Sequence, residues 1–375
     1  MSINGVPFIT LNRFENGFRE EFLAGVETLF DNTQFIGGPQ VAKLEEKLKE
    51  KTEAKHVVGC ANGTDAIQIA LRGVGIDKDD VVLIPDMTFW ATFEAVVNVN
   101  AKPVTVDVSR ETLHWDKETF KEAVEKFKPK AAILVHLYGW GCPDTMEIRK
   151  IAEDNGVSLI EDGAQCFGTK VHGESLLGSA KVATTSFYPA KVLGASGDAG
   201  AIFSTDEQII NTCRTLINHG RTSHYSHGLI GWNSRIGAYE SLFLNMSLEH
   251  IDARLDSRRK AVKYYQENLQ GLPLKIQEVP SHVEENGYCS VALIDPDLRG
   301  PLIESLKAAN VGFGTIYPGA MSKQEAAPKY MAGSIDNGNA DYISKAVLNL
   351  PCYAYITEEE CEYVCQVVKN HFSNS

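Results

Sequence analysis

Residues 184–204 read TTSFYPAKVLGASGDAGAIFS, in which a β-rich run breaks into a loop with proline and glycine before a second apolar strand, DAGAIFS. Lys191 lies in the loop between these two runs. An amine is nucleophilic only after it has lost its proton, and partial burial lowers the pKa of a lysine. The position therefore suits a lysine that binds a carbonyl cofactor as a Schiff base, although a loop lysine taken alone is more often a solvated surface charge.

A carboxylate earlier in the chain, that of Asp162, supports the hypothesis of a cofactor at Lys191. Residues 159–168 read LIEDGAQCFG, so a short apolar strand ends in Glu161 and Asp162. Carboxylates at the carboxyl ends of strands in a parallel sheet face the ligand crevice. Asp162 could hold a cationic ring nitrogen there, and in pyridoxal phosphate (PLP) such an ion pair keeps the pyridine protonated. The alternative is that Glu161 or Asp162 caps a following helix.

The segment ANGTDAIQIALRG, residues 61–73, predicts an anion site. Gly63 and Thr64 directly precede apolar residues at helical spacing. A Gly-Thr turn at a helix N-terminus offers free backbone N–H groups, a hydroxyl and the positive end of the helix dipole, which suit a phosphate monoester. A further strand, VVLIPDMTFWAT at residues 81–92, carries Phe89, which could stack on a planar ring or pack in the core.

The order of elements predicts an α/β fold. From about residue 55 to 205, short β-rich runs alternate with helical stretches such as KETFKEAVEKF. That alternation favours a mostly parallel sheet covered by helices on both faces. The mixed-charge segment 240–269 predicts one or two long helices, and the tail mixes strands with helices. We therefore expect a large domain, residues 1–249, and a smaller α+β domain, residues 250–375.

These segments, in this order, resemble the DegT/DnrJ/EryC1/StrS aminotransferases, which act on nucleotide-linked keto sugars. The resemblance covers nearly the whole chain and includes DNTQFIGGPQ, the NGT helix, PDMTFWAT, ILVHLYG, EDGAQCFG, SFYPAK, GDAGAIF and GWNSR. It implies the aspartate-aminotransferase-like fold type I, a PLP cofactor that passes through pyridoxamine phosphate, and a homodimer with shared active sites.

The resemblance also implies roles for individual residues. Lys191 would form the Schiff base and shuttle the proton between cofactor and sugar. Asp162 would pair with the pyridine nitrogen, Gln165 would bind the ring hydroxyl, and Phe89 would stack on the ring. The phosphate would be held by Gly63, Thr64 and Ser186, with Asn233 of GWNSR reaching it from the neighbouring subunit. Arg235, Arg221 and Tyr317 are the candidate residues for contact with substrate.

Lysine at position 191 also bears on the reaction. Some relatives are sugar dehydratases with histidine at the matching place, so lysine favours amino transfer. The resemblance implies an amino-acid donor, with L-glutamate expected, and a nucleotide-linked keto sugar aminated at C3 or C4. The segment IYPGAMS, residues 316–322, lacks the second proline and the nearby histidine found in many relatives, which leaves the sugar open.

Composition excludes several classes of protein. A formal net charge of −13 argues against nonspecific binding of nucleic acid. The sequence contains no apolar run of about 20 residues, the length that spans a bilayer, and its start lacks a signal pattern, so we expect a cytoplasmic protein. The eight cysteines are widely spread and predict small buried thiols. Cys361 and Cys365 lie one helical turn apart and could bind a metal, but no histidine follows at ligand spacing. We therefore expect no metal site.

Two alternatives stay open at this point. One is another fold type I reaction, such as dehydration or transfer between amino acids alone. The other is a noncatalytic protein that keeps the fold as a ligand sensor or an assembly surface.

Overall fold

The computed structural model describes residues 3–373. The strands in that range are β1 His56–Cys60, β2 Val81–Pro85, β3 Lys102–Val106, β4 Ala131–Val135, β5 Ser158–Asp162, β6 Lys170–Val171, β7 Glu174–Ser175, β8 Val182–Ser186, β9 Gly200–Ser204, β10 Arg221–Ser223, β11 Ser226–His227, β12 Leu274–Ile276, β13 Val283–Glu284, β14 Ser290–Ile294, β15 Gly333–Ile335 and β16 Val347–Leu350. The α-helices are α1 Phe18–Asp31, α2 Pro39–Thr52, α3 Gly63–Gly73, α4 Trp90–Asn98, α5 Lys117–Phe127, α6 Thr145–Asp154, α7 Leu176–Ser179, α8 Glu207–Leu216, α9 Ala238–Glu249, α10 Ile251–Asn268, α11 Pro296–Ala308, α12 Asn339–Ala346 and α13 Glu358–Ser373.

A large sheet forms the centre of the molecule. Its strand order is β1-β9-β8-β5-β4-β2-β3-β15, and every pair among β8, β5, β4, β2, β3 and β15 is parallel. Only β9 runs against its neighbours β1 and β8. Strands buried on both faces are typical of sheets covered by helices on each side, and all five residues of β4 are buried. The predicted mostly parallel α/β sheet is confirmed.

The register of this sheet gathers the ends of three strands. Ser186 at the end of β8 and Cys60 at the end of β1 both lie opposite Gly200, the first residue of β9. Asp162 ends β5, the neighbour of β8. Because the carboxyl ends of parallel strands meet at one edge, the loops that carry the predicted site residues begin side by side.

The predicted mixed-charge helical segment forms two helices. Helix α9 ends at Glu249 and α10 begins at Ile251, with His250 between them. Helix α10 then packs with α11, α13 and the small antiparallel sheet β12-β14-β16 around a second apolar core. The N-terminal residue Val6 joins that core and pairs with Val311.

The C-terminal part of the chain also reaches the large sheet. Strand β15 pairs in parallel with β3, and the buried carboxylate of Asp107 accepts N–H groups from Asn337, Asn339 and Ala340 at 2.8–2.9 Å. These contacts hold residues 333–340 against the edge of the large sheet. The domain boundary near residue 250 stays a prediction.

All eight cysteines are buried and free, which confirms their interpretation as small buried residues. Among residues 3–373, no helix combines the length and the apolar character that a membrane span requires.

Candidate active site

A cavity of about 760 Å³ opens at the carboxyl edge of the large sheet. It brings together eight of the predicted site residues, namely Gly63, Thr64, Phe89, Asp162, Gln165, Ser186, Lys191 and Tyr317. A larger cavity of about 1070 Å³ lies near the amino ends of β5 and β8, and none of the predicted residues lines it. The first cavity is therefore the candidate site.

Lys191 and Asp162 form an electrostatic pair inside this cavity. Burial lowers the pKa of Lys191, and the negative charge of Asp162 opposes that shift. Burial raises the pKa of Asp162, against the effects of the Ala164 N–H group and the Lys191 charge. Because the effect of burial is the larger, Lys191 is closer to the neutral, nucleophilic form that its position in the loop predicted.

Asp162 is held from two sides. Its Oδ1 accepts the Ala164 N–H at 3.0 Å, and its Oδ2 accepts the Thr92 hydroxyl at 3.2 Å. Thr92 in turn lies 2.9 Å from the Thr88 hydroxyl. Thr92, in the first turn of α4, was not identified from the sequence.

The neighbouring residue Glu161 faces a different environment, because successive side chains of a strand point to opposite faces. Its carboxylate accepts hydrogen bonds from Arg149 at 2.7 and 2.9 Å and lies 2.9 Å from His136 Nε2. Burial opposes ionisation of Glu161, but these partners hold its pKa below the usual value. Glu161 is thus tied into the protein interior, while Asp162 lines the cavity.

Gln165 has both ends of its amide engaged. Its Oε1 accepts the Tyr138 N–H at 2.6 Å, and its Nε2 donates to the Tyr317 hydroxyl at 2.9 Å. Tyr138 follows β4 with a positive φ of 63°, and its own hydroxyl donates to the Ile316 carbonyl at 2.7 Å. Tyr138 was not identified from the sequence, since these contacts join segments far apart in the chain.

Tyr288 was also missed. Its ring centroid lies 5.2 Å from Lys191 Nζ, within the range of a cation–π contact. Asn286 positions it by accepting the Tyr288 N–H at 2.8 Å, while its Nδ2 donates to the Gln165 and Phe167 carbonyls. The loop before β14 is therefore tied to the loop after β5, and no local pattern in the sequence signals this.

At the predicted anion site, the N-terminus of α3 lies very close to Ser186. Helix α3 begins at Gly63, and the side chain of Asn62 caps it by accepting the Asp65 N–H at 2.8 Å. A Cβ atom added at Gly63 would lie 2.7 Å from Ser186 Cβ, closer than real Cβ atoms approach. Glycine is therefore needed for the start of α3 to approach Ser186, which concentrates N–H groups and a hydroxyl in one place.

Phe89 lies at the opening of the cavity. Its side chain is 57% exposed, and its ring centroid is 5.8 Å from that of Tyr317. A ring this exposed is available for stacking and does not belong to the core.

Three predicted residues lie outside the cavity of their own chain. Asn233 is exposed and accepts a hydrogen bond from Arg235 Nη2 at 2.5 Å. Arg235 Nη1 also donates to Asn218 Oδ1 at 2.7 Å. Arg221 lies in the β10–β11 hairpin and donates to the carbonyls of Ser223 and His224.

Comparisons with known proteins agree with this architecture. The profile of the DegT/DnrJ/EryC1/StrS aminotransferase family matches residues 17–369. The UDP-2-acetamido-2-deoxy-3-oxo-D-glucuronate aminotransferase of Pseudomonas aeruginosa is 33% identical over 97% of this chain and 100% of its own. The UDP-N-acetyl-3-dehydro-alpha-D-glucosamine 3-aminotransferase of Acidithiobacillus ferrooxidans is 32% identical over 97% of each chain. The structure of S. venezuelae DesV in complex with a ketimine intermediate matches with a TM-score of 0.92 at 28% identity, covering 98% of each chain.

The fold, with its cavity at the carboxyl edge of the sheet, defines the protein as an aminotransferase of the aspartate-aminotransferase-like fold type I. The chain belongs to the DegT/DnrJ/EryC1/StrS aminotransferase family.

Proposed function

We propose that the protein binds PLP and transfers an amino group from an amino acid, with L-glutamate the expected donor, to a nucleotide-linked 3-keto sugar. The observation that carries this proposal is the pairing of the half-buried Lys191 with the buried Asp162 in one cavity with the N-terminus of α3. A reactive amine, a carboxylate and an anion cradle are the groups that this cofactor requires.

The residues of the cavity fit PLP. The close approach of Gly63 to Ser186 leaves N–H groups and hydroxyls for a phosphate, and the cavity volume of about 760 Å³ lies in the range of small-molecule sites. Asp162 offers a carboxylate for a ring N–H, and Gln165 has one amide hydrogen left after its bond to Tyr317. When bound, PLP supplies a carbonyl carbon for the amine and a protonated ring that withdraws electrons.

The side chains of the cavity would have different roles in the reaction. Lys191 Nζ would attach the cofactor and, once released, would carry the proton between the substrate carbon and the cofactor. Asp162, fixed by Thr92 and Ala164, would keep the ring nitrogen protonated. Phe89 and Tyr317 would limit the access of water at the cavity opening.

The substrate proposal rests on the relatives. Both relatives described above carry 3-oxo or 3-dehydro UDP sugars in their names, so we assign amination to C3 and uridine diphosphate to the nucleotide. The lysine at position 191 favours amino transfer over dehydration, the reaction of relatives that have histidine at this position. The product would be a UDP-linked 3-amino sugar.

The surface supports a homodimer with shared sites. Asn233 is exposed outside the cavity of its own chain, and Tyr225 in the β10–β11 hairpin and Ile230 after it are 89% and 95% exposed. Exposed large apolar side chains of this kind mark interaction surfaces. A second copy that covers them would bring Asn233 and Arg235 toward the phosphate and substrate of its partner.

The direct test is product formation. Purified protein with PLP, L-glutamate and a UDP-linked 3-keto-N-acetylglucosamine should yield the 3-amino sugar, detected by mass spectrometry, together with 2-oxoglutarate. The 4-keto isomer should give little product, and Lys191→Ala should give none. Formation of a dehydrated sugar without an amino group, or equal product from the Lys191→Ala variant, would contradict the proposal.

A further inference from the structure

A small cavity lies beside Lys191. Its volume is about 90 Å³, and Lys191 lines both this cavity and the candidate active-site cavity of about 760 Å³, called the large cavity below. We call it the cationic cavity and define it by Arg13, Arg254, Arg258, Lys191, Phe14 and Phe243. Its walls come from the N-terminal segment, the lysine loop, α9 and α10.

The charges around the two cavities are opposite in sign. The cationic cavity has three arginines and a lysine in its lining, and no carboxylate among its lining residues within the described chain. The large cavity is lined by the carboxylates of Asp65, Glu94, Asp162 and Asp198, with Lys191 as its cation. Apart from Lys191, the charged side chains that line the cationic cavity are therefore arginines, and those that line the large cavity are carboxylates.

Arg258 is the residue that points to a ligand. It is 4% exposed, and its Nη1 donates to the Cys352 carbonyl at 3.1 Å. Its Nε has no hydrogen-bond partner, and no ion pair within residues 3–373 includes Arg258. Burial lowers its pKa, since no carboxylate compensates the charge.

The other two arginines differ from Arg258 in this respect. Arg254 donates to both oxygens of Glu15 at 2.8 and 2.9 Å, and Arg13 is paired with Glu360. Their charges are balanced inside the protein. A buried charge without a partner is costly, and the planar fork of a guanidinium matches a carboxylate. Arg258 is thus a preformed position for a carboxylate.

We propose that the cationic cavity is the subsite for a carboxylate of the amino-acid donor, with Arg258 as its partner. This inference rests on the proposed function, because the donor must bring its amino group to the cofactor at Lys191, which lines both cavities. The volume suits a carboxylate group, and Phe14 and Phe243 supply apolar contact for the adjoining methylene groups.

Binding of glutarate tests the subsite separately from catalysis, because glutarate has the carboxylates of the donor and no amine. Calorimetric titration of the PLP-loaded protein should give a Kd for glutarate that rises at least tenfold in Arg258→Met. The Kd for UDP-N-acetylglucosamine should stay within about twofold. The Tm of the variant should fall only slightly, since the substitution breaks one hydrogen bond to the Cys352 carbonyl and no ion pair.

Arg299→Met is the matched control. Arg299 also donates only to carbonyls, those of Ser344 and Val347, and lines neither cavity. Its substitution should leave both Kd values unchanged. Arg258→Lys, which keeps the charge and loses the fork, should weaken glutarate binding less than Arg258→Met and covers the case in which the methionine variant does not fold.

The outcomes separate this inference from the proposed function. If Arg258→Met or Arg258→Lys binds glutarate as the wild type does, while UDP-N-acetylglucosamine still binds, the subsite is wrong and the function stands. If chloride or phosphate binds through Arg258 but does not compete with glutarate, the site serves inorganic anions and the inference is overturned. If the wild type binds neither glutarate nor the nucleotide sugar, the proposed function fails and the inference falls with it.

Discussion

The side chain of Gln165 donates from Nε2 to the Tyr317 hydroxyl at 2.9 Å and accepts the Tyr138 N–H at Oε1. The two contacts fix which end of the amide faces which neighbour, because only the nitrogen can donate. One bond comes from the loop after β4, and the other reaches the segment between β14 and β15. The orientation of Gln165 is therefore set by the tertiary fold.

This arrangement predicts different effects for two substitutions. Gln165→Glu keeps the acceptor for Tyr138 but presents negative charge to the ring oxygen of PLP, so the Kd for PLP should rise about tenfold or more. Tyr317→Phe removes only one hydrogen-bond partner of the Gln165 amide, so it should raise the Kd for PLP about threefold. Equilibrium dialysis with PLP measures both values. Equal affinity of Gln165→Glu and wild type would show that the amide does not face the ring oxygen.

Asp162→Asn should change the acidity of Lys191. The charge of Asp162 raises the pKa of Lys191 against the effect of burial, so removal of that charge should lower the lysine pKa further. In the apoprotein, the rate at which an amine-specific reagent labels Lys191 should then reach its midpoint at a lower pH. Turnover should fall about 100-fold, as for loss of a preorganised electrostatic group. A midpoint that moves to higher pH would contradict the pairing.

Gly63→Ala should weaken the binding of PLP. The added Cβ would lie 2.7 Å from Ser186 Cβ, so α3 or β8 must shift and the phosphate cradle opens. We expect the Kd for PLP to rise at least tenfold, which corresponds to about 1.4 kcal/mol. Gly300→Ala is the control, because a Cβ atom there meets no atom within 4 Å apart from its chain neighbours, and Gly300 lies in helix α11 and does not line the cavity. That change should leave PLP affinity unaltered.

Glu285 gives a pH dependence of stability. Burial raises its pKa to about 7, with the Trp140 hydrogen bond and the Arg259 charge opposing the shift only in part. A carboxyl group with a raised pKa contributes stability that is fully present below its unfolded value of 4.5 and is lost as pH rises through 7. Glu285→Gln should therefore raise the free energy of unfolding by about 2 kcal/mol at pH 8 and by much less at pH 5.

Urea unfolding of the wild type and Glu285→Gln at the two pH values measures this difference. Glu278→Gln is the control, because Glu278 is an exposed glutamate in the same loop region, and its substitution should change the free energy of unfolding little. An equal effect of Glu285→Gln at pH 5 and pH 8 would contradict the raised pKa.

Much of the fold is readable from the sequence because the strands are apolar and short and the helices between them are amphipathic. The predicted KETFKEAVEKF helix coincides with α5, and HVVGC coincides with β1. Strand β15 was not anticipated, since its three residues gain their place only by pairing with β3. The antiparallel direction of β9 likewise depends on pairing on both sides and not on its composition.

Some residues of the candidate site could likewise be predicted from the sequence, and others could not. Lys191, Asp162 and Gly63 lie next to strand ends and a helix start, where local patterns carry information. Tyr288 and Arg258 approach Lys191 from segments that the chain reaches about 70 to 100 residues later, so no spacing in the sequence could reveal them. Their importance depends on burial and on the absence of an ion-pair partner for Arg258 within the described chain, which only the folded structure defines.

The visible absorption spectrum of the purified protein with PLP, before and after addition of L-glutamate alone, shows whether Lys191 holds PLP and whether an amino acid supplies the amine. We expect a Schiff-base band in the wild type, its replacement by the pyridoxamine phosphate spectrum after glutamate, and no such band in Lys191→Ala. A wild-type protein without the band, or a Lys191→Ala variant that keeps the band and still converts the cofactor, would show that Lys191 does not hold the cofactor.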